Sequence, residues 1–178
     1  MTKAEALHGR LTLVLGGARS GKSRYAESLI EKLPPPHVYV ATAEARDAEM
    51  TDRIATHRAR RGAGWQTVEA PHDLAVAIGK APRGAALLID CLTLWLSNRM
   101  LVEADLESEI EALEKILAAY DGPIILVANE VGSGIVPDNS LGRRFRDLQG
   151  LLNQRIAARA DRVIFMVAGL PLTVKEHP

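Results

Sequence analysis

The chain has 178 residues, 47% hydrophobic and 25% charged, a size and balance that allow one domain with its own core and exclude a disordered polymer. Lys plus Arg and Asp plus Glu both number 22, so no overall field selects nucleic acid or a membrane surface as partner. One cysteine, Cys91, excludes an internal disulfide framework, and no signal-peptide pattern or membrane-spanning apolar run occurs, so a cytoplasmic protein with no membrane span is expected.

In chain order, residues 1–10 read as a flexible tail ahead of one catalytic domain. The run LTLVLGG (11–17) is apolar on almost every residue, the pattern of a strand buried on both faces. It flows into GGARSGKS (16–23), which satisfies G-x-x-x-x-G-K-[ST] with Gly16, Gly21, Lys22 and Ser23 in the fixed places. Glycines there let backbone N–H groups curl around phosphate, and the following helix adds its positive end. Lys22 would reach the β and γ phosphates, and the Ser23 hydroxyl would help hold Mg²⁺. A helix is expected over 23–33, stopped by three prolines.

HVYVAT (37–42) is the next buried strand. After it, Met50, Ile54, His57 and Arg61 fall at spacings 4, 3 and 4, so a helix here shows one mixed face. Arg53 and Arg61 stand one turn on either side of His57, which would disfavour its charged form and leave a nucleophilic imidazole. From spacing alone the same helix also reads as a solvated basic face with its histidine half packed on the core. GWQTVEAP (64–71) is a weaker, more polar strand, expected at an edge or in a connection.

AALLID (85–90) is again fully apolar and closes on Asp90, a carboxylate placed to share a magnesium ion with Ser23. The competing role for Asp90 is a cap on the helix that starts at LTLWLSNRM. Cys91 reads as a small buried residue. Leu106, Ile110, Leu113 and Leu117 form a helical stripe, with the acidic residues of 103–114 read as its solvated face. IILVAN (124–129) is a buried strand, and NEVGSGIVPDN (129–139) a shaped loop. Asn129 and Glu130 are its candidate groups for binding or activating an acceptor. Leu141, Phe145, Leu148, Leu152 and Ile156 mark a helix over 140–160, and RVIFMVAG (162–169) a last strand. Arg143, Arg144 and Arg146 would serve phosphates or a subunit contact.

Strands alternating with helices give an α/β fold with a mostly parallel sheet and helices on both faces, with ligands at the carboxyl ends of the strands. LVLGGARSGKSRYAESLIEKL, YVATAEARDAEMTDRIATHRARRG, LLIDCLTLWLSN and the segment from ILVANEVG to LPLTVK occur together and in order. In this the chain resembles the bifunctional adenosylcobinamide kinase / adenosylcobinamide-phosphate guanylyltransferase family of cobalamin assembly, over about residues 11–175. The resemblance implies a P-loop NTPase-like three-layer sandwich and two reactions. ATP or GTP would phosphorylate the hydroxyl of adenosylcobinamide, and GMP from GTP would then pass through a covalent histidine to give adenosylcobinamide-GDP.

That histidine corresponds to His57, so the resemblance makes His57 and Lys22 the catalytic pair. It implies that Gly16, Gly17, Ala18, Arg19, Ser20, Gly21, Lys22 and Ser23 hold the nucleotide phosphates and that Ala41, Thr42 and Ala43 line the site. Arg58, Ala59, Arg60, Arg61, Glu69 and Asp90 would contact the guanine nucleotide or its metal. It also suggests a homotrimer, with adenosylcobinamide and its phosphate as partners and no nucleic acid. No N-K-x-D motif occurs, so guanine would not be read as switch-type GTPases read it. A plain small-molecule kinase, in which His57 is structural, and a non-catalytic nucleotide switch are the competing readings.

Overall fold

The computed structural model describes residues 9–45 and 47–176, with the side chains of Glu49, Arg53, His57 and Arg60 outside that description. Seven strands form one sheet: β1 (Leu11–Gly16), β2 (His37–Ala41), β3 (Trp65–Glu69), β4 (Ala86–Asp90), β5 (Ile124–Asn129), β6 (Arg162–Val167) and β7 (Leu170–Glu176). Their order across the sheet is β3-β2-β4-β5-β1-β6-β7, parallel throughout except for the β6–β7 hairpin. The helices are α1 (Lys22–Ile30), α2 (Ala48–Arg60), α3 (Leu74–Lys80), α4 (Leu92–Leu101), α5 (Leu106–Ala119) and α6 (Ser140–Arg159).

The apolar runs become strands because both of their faces are covered. Leu11, Leu13, Val38, Val40, Leu87, Ile89 and Leu126 pack against α3, α4, α5 and α6. The alternate residues Val14, Tyr39, Ala41, Leu88, Ile125 and Val127 pack against Ala26, Leu29 and Ile30 of α1. Full burial of each such side chain contributes roughly 1.5–3 kcal/mol. The expected strands at 37–42, 85–90 and 124–129 are therefore found within one residue, and β3 lies at the sheet edge.

Three expectations change. β7 was not anticipated: Pro171 opens it, and its side chains are mostly exposed, so it lacks the apolar signature of the interior strands. Of the acidic residues of 103–114, Glu103 before α5 and Glu107 and Glu111 on it are exposed, but Glu114 is buried between Arg155 (2.8 Å) and Arg159 (3.1 Å) of α6. Those guanidinium groups, Arg155 first, lower its pKa to about 2 against the opposing cost of burial. The stripe on α6 is only partly inward: Leu152 and Ile156 are buried, whereas Leu141 is exposed. Of the tail expected over 1–10, residues 1–8 lie outside the described residues. Arg10 is anchored, its Nη1 donating to the Leu117 and Tyr120 carbonyls at 2.6 and 2.5 Å.

Register carries the fold to the site. β2 aligns Ala41 with Asp90 of β4 and with Glu69 of β3, and β1 aligns Gly16 with Asn129 of β5. Residues far apart in sequence thus finish on one carboxyl edge of the sheet.

Candidate active site

The phosphate loop is built largely from backbone conformation. Gly16 has φ of +154°, and a Cβ there would stand 2.7 Å from both the Met166 carbonyl and Ser20 Oγ. Gly21, at φ of 92°, is the N-cap of α1 and provides no side-chain cap, and no acidic residue occupies the helix's first turn. The first N–H groups of a helix have no intrahelical acceptor, so this end offers donors and a positive dipole to an anion. Lys22 is buried at the start of the helix, with Nζ donating to the Gly17 carbonyl at 2.6 Å. Arg19 takes a left-handed conformation (φ 56°) and Ala18 is exposed beside it. The β6–β7 turn braces the loop, Gly169 N–H donating to the Ser20 carbonyl at 3.1 Å.

Beside the loop a half-open pocket is lined by Ser23, Tyr39, Ala41, Ala43, Met50, Ile54, Arg58, Arg61, Glu69, Asp90, Cys91 and Leu94. Seven of the residues expected at a nucleotide site from the sequence therefore meet: Ser23, Ala41, Ala43, Arg58, Arg61, Glu69 and Asp90. Arg58 Nη2 bonds Glu69 Oε1 at 3.0 Å, joining α2 to β3. Asp90 is not a helix cap: Cys91 is the N-cap of α4 and makes no side-chain cap. The Asp90 carboxylate instead accepts from the Tyr39 hydroxyl at 3.1 Å. Ser23 and Asp90 are hard oxygen donors on one pocket wall, a set suited to a magnesium ion that keeps most of its water.

Arg61 differs from its expected place. It is the C-cap of α2 in extended conformation, and its guanidinium lies over the Tyr39 ring, 3.5 Å from the centroid. It is therefore not a helical neighbour of His57 in the i+4 sense, and Arg53 lies outside the described side chains. Arg61 Nε and Nη1 are buried and without a hydrogen-bond partner among the described residues, as is Ser20 Oγ. Buried donors without acceptors are costly, and a bound phosphate would satisfy them.

Thr42 is fully buried and committed to the scaffold: its hydroxyl donates to the Cys91 carbonyl and accepts from Cys91 N–H, both at 2.7 Å. Asn129 and Glu130 are not among the pocket residues. Glu130 Oε1 accepts from the N–H groups of Gly132 and Ser133, bracing its own loop, while Glu130 N–H bonds the Gly16 carbonyl at 3.0 Å. The Asn129 backbone is held by the Thr93 hydroxyl and by Asn153 Nδ2. Ala59 is exposed, and the His57 and Arg60 side chains lie outside the described residues; the helix backbone carries position 57 on the turn after Ile54. The Cys91 thiol is pushed up to about 11, first by burial and then by Asp90, so it is a neutral packing group.

Sequence reasoning missed Tyr39, Met50, Ile54 and Leu94 as pocket residues. Tyr39 had a usable signal, since it lies two residues before Ala41 on the same face of the strand and stands between two valines.

Residues 12–174 match the family model described as cobinamide kinase / cobinamide phosphate guanyltransferase. The chain is 52% identical over 169 residues to the bifunctional adenosylcobalamin biosynthesis protein CobP of Pseudomonas aeruginosa, covering 93% of this chain and 98% of that one. It is 38% identical over 182 residues to the bifunctional adenosylcobalamin biosynthesis protein CobU of Salmonella typhimurium, covering 93% and 99%. At the level of fold alone it is similar to the flagellar accessory protein FlaH of Methanocaldococcus jannaschii, with 13% identity, a TM-score of 0.51, and 96% of this chain and 80% of that one covered. It is likewise similar to an ATPase of a bacterial type III secretion system, with 13% identity, a TM-score of 0.55, and 93% and 57% covered. A phosphate loop opening α1, a strand ending in Asp90 one strand removed from β1, and a family match over residues 12–174 lead to one statement: the chain belongs to the cobinamide kinase / cobinamide phosphate guanyltransferase family.

Proposed function

We propose that this pocket runs both of the family's reactions, and that His57 carries the nucleotide between them. The supporting observation is the meeting of Ser23, Asp90, Arg58 and Arg61 around one pocket whose fourth wall is the helix bearing position 57. In the first reaction the hydroxyl of adenosylcobinamide attacks the γ phosphorus of ATP or GTP. The bond from that phosphorus to the β–γ bridging oxygen breaks, the nucleoside diphosphate leaves and the hydroxyl proton is released. Lys22 and the backbone N–H groups at the start of α1 stabilise the transferred charge. Ser23 and Asp90 would hold Mg²⁺, which when bound supplies further charge neutralisation.

In the second reaction an imidazole nitrogen of His57 attacks the α phosphorus of GTP, and pyrophosphate leaves with the electrons of the broken P–O bond. A phosphate oxygen of adenosylcobinamide phosphate then attacks the same phosphorus. The P–N bond breaks, His57 is restored and adenosylcobinamide-GDP forms. A covalent relay divides one difficult transfer into two easier ones. The unpaired donors of Arg61 are suited to nucleotide phosphate in either reaction.

The cytoplasm is the proposed location, consistent with one buried, unpaired cysteine; no described helix is long and apolar enough to cross a membrane. The proposed assembly is a homotrimer, for which exposed Leu170, Leu172 and Val174 on the edge strand β7 offer an apolar contact row; sedimentation velocity tests it.

The deciding experiment incubates the protein with Mg²⁺ and GTP labelled at the α or the γ phosphate, beside His57→Ala. Acid-labile, alkali-stable α label that vanishes in the variant supports histidine-bound GMP. No α label on the wild type, with phosphate still transferred to adenosylcobinamide, reduces the protein to a kinase.

A further inference from the structure

Tyr39 is a buried side chain that touches two pocket walls at once. Its hydroxyl reaches Asp90 Oδ2 at 3.1 Å, and its ring lies 3.5 Å below the Arg61 guanidinium. Trp65 packs against the other side of the aromatic cluster, with ring centroids 6.3 Å apart and an edge-on angle of 75°. The strand register explains the arrangement. Tyr39 is two residues short of the β2 terminus, on the face shared with Ala41, and Ala41 pairs with Asp90.

We infer that Tyr39 is a positioning residue for both halves of the site, orienting the metal-holding carboxylate of Asp90 through its hydroxyl and the phosphate-binding guanidinium of Arg61 through its ring. This rests on the reading of the pocket as a nucleotide site. Two kinds of force act. The hydroxyl donates to an ionised carboxylate in a shielded place, and such charge-assisted bonds are stronger than neutral ones. The ring offers its negative face to a cation, an attraction that grows when the pair is desolvated. Arg61 has left the helix and its Nε and Nη1 are buried without a hydrogen-bond partner among the described residues, so the ring is the contact that sets its plane. The phenol supplies the O–H and the Asp90 carboxylate oxygen accepts it, so the bond has one direction.

The two contacts separate experimentally, because phenylalanine keeps the ring and leucine removes ring and hydroxyl together. Wild type, Tyr39→Phe, Tyr39→Leu, Arg61→Ala and Asp90→Asn are titrated with Mn²⁺ in the presence of a nonhydrolysable GTP analogue, with free Mn²⁺ read by electron paramagnetic resonance. Affinity for the analogue without metal is read from the combined fluorescence of Trp65 and Trp95, and thermal melting checks folding. Tyr39→Phe is expected to weaken Mn²⁺ roughly threefold to tenfold, a fraction of one charge-assisted hydrogen bond because the hydroxyl acts on the ion through Asp90. Tyr39→Leu is expected to weaken Mn²⁺ equally and, in addition, to weaken the metal-free analogue about threefold to fivefold more than Tyr39→Phe does. That additional loss is expected to disappear in an Arg61→Ala background.

Wild-type Mn²⁺ affinity in Tyr39→Phe, while Asp90→Asn loses the ion, overturns the Tyr39 assignment and leaves the nucleotide site standing. Wild-type Mn²⁺ affinity in Asp90→Asn itself overturns the metal reading of the pocket, and the hydroxyl's role with it. A leucine effect that persists without Arg61 overturns the role of the ring. Should Tyr39→Leu fail to fold, Tyr39→Phe alone still decides the hydroxyl.

Discussion

The two helices that bound the pocket are held in opposite ways. α1 buries Lys22, Ala26, Glu27, Leu29 and Ile30 against the middle of the sheet, and its N-terminal loop is locked by Gly16, Gly21 and the β6–β7 turn. No described residue of α2 is fully buried; Met50 and Ile54 are half-buried, and the neighbours on its outer face are exposed. α2 is secured instead by local devices. Asp47 accepts from Met50 N–H at 2.7 Å as its N-cap, and Arg58 pairs with Glu69 on β3. The loop at the start of α1 is thus preformed by close packing, while among the described residues the helix that carries position 57 is held by caps, one ion pair and two apolar side chains. Regions with few buried apolar contacts have lower local stability, which suits the role proposed for His57 on this helix.

Four substitutions would break or sharpen that contrast. Lys22→Ala should lower kcat for both phosphoryl and guanylyl transfer by roughly 10²–10³-fold, the scale of losing one preorganised charged donor. Steady-state assays of the two half-reactions measure it, and retention of either activity would mean that the reactions do not share the loop. Gly16→Val should destabilise the fold by roughly 1–3 kcal/mol, since its Cβ would collide with Met166 and Ser20 in a conformation β-branched residues resist. Chemical denaturation reads this, and an unchanged midpoint would show a more yielding loop.

Asp47→Ala should cost about 1 kcal/mol of helix stability. The expected result is a few-fold decline in guanylyl transfer with little change in kinase rate, and equal declines would contradict an α2-specific role. Arg58→Ala should change global stability by no more than about 0.5 kcal/mol, because both partners of its ion pair are largely exposed. A thermal shift corresponding to several times that value would mean that α2 is bound more tightly than its burial indicates.

Much of this site was legible before any coordinates. The loop at 16–23 and the strand ends at Ala41 and Asp90 follow from short-range pattern, because strand burial is written in neighbouring residues. The same reasoning put Met50, Ile54, His57 and Arg61 on one helical face without marking the first two as pocket residues, and Arg61 leaves that helix as its extended C-cap. Glu69 and Arg58 entered through resemblance, and the structure joins them in one ion pair. Glu130 shows the opposite case. Its position at a strand end suggested a group facing substrate, yet its carboxylate satisfies two N–H groups of the following turn, a choice that depends on loop geometry.

The sequence by itself determined the α/β alternation, the phosphate loop and the family, since each is a matter of local spacing or ordered motifs. Only the tertiary structure decided that Tyr39 stands between Asp90 and Arg61, that Thr42 clamps Cys91, and that Glu114 is buried between two arginines. Those contacts join residues as much as 51 positions apart, across the sheet or between packed helices. Register follows from which faces are buried and which strands are neighbours, a property of the packed whole that no single segment encodes.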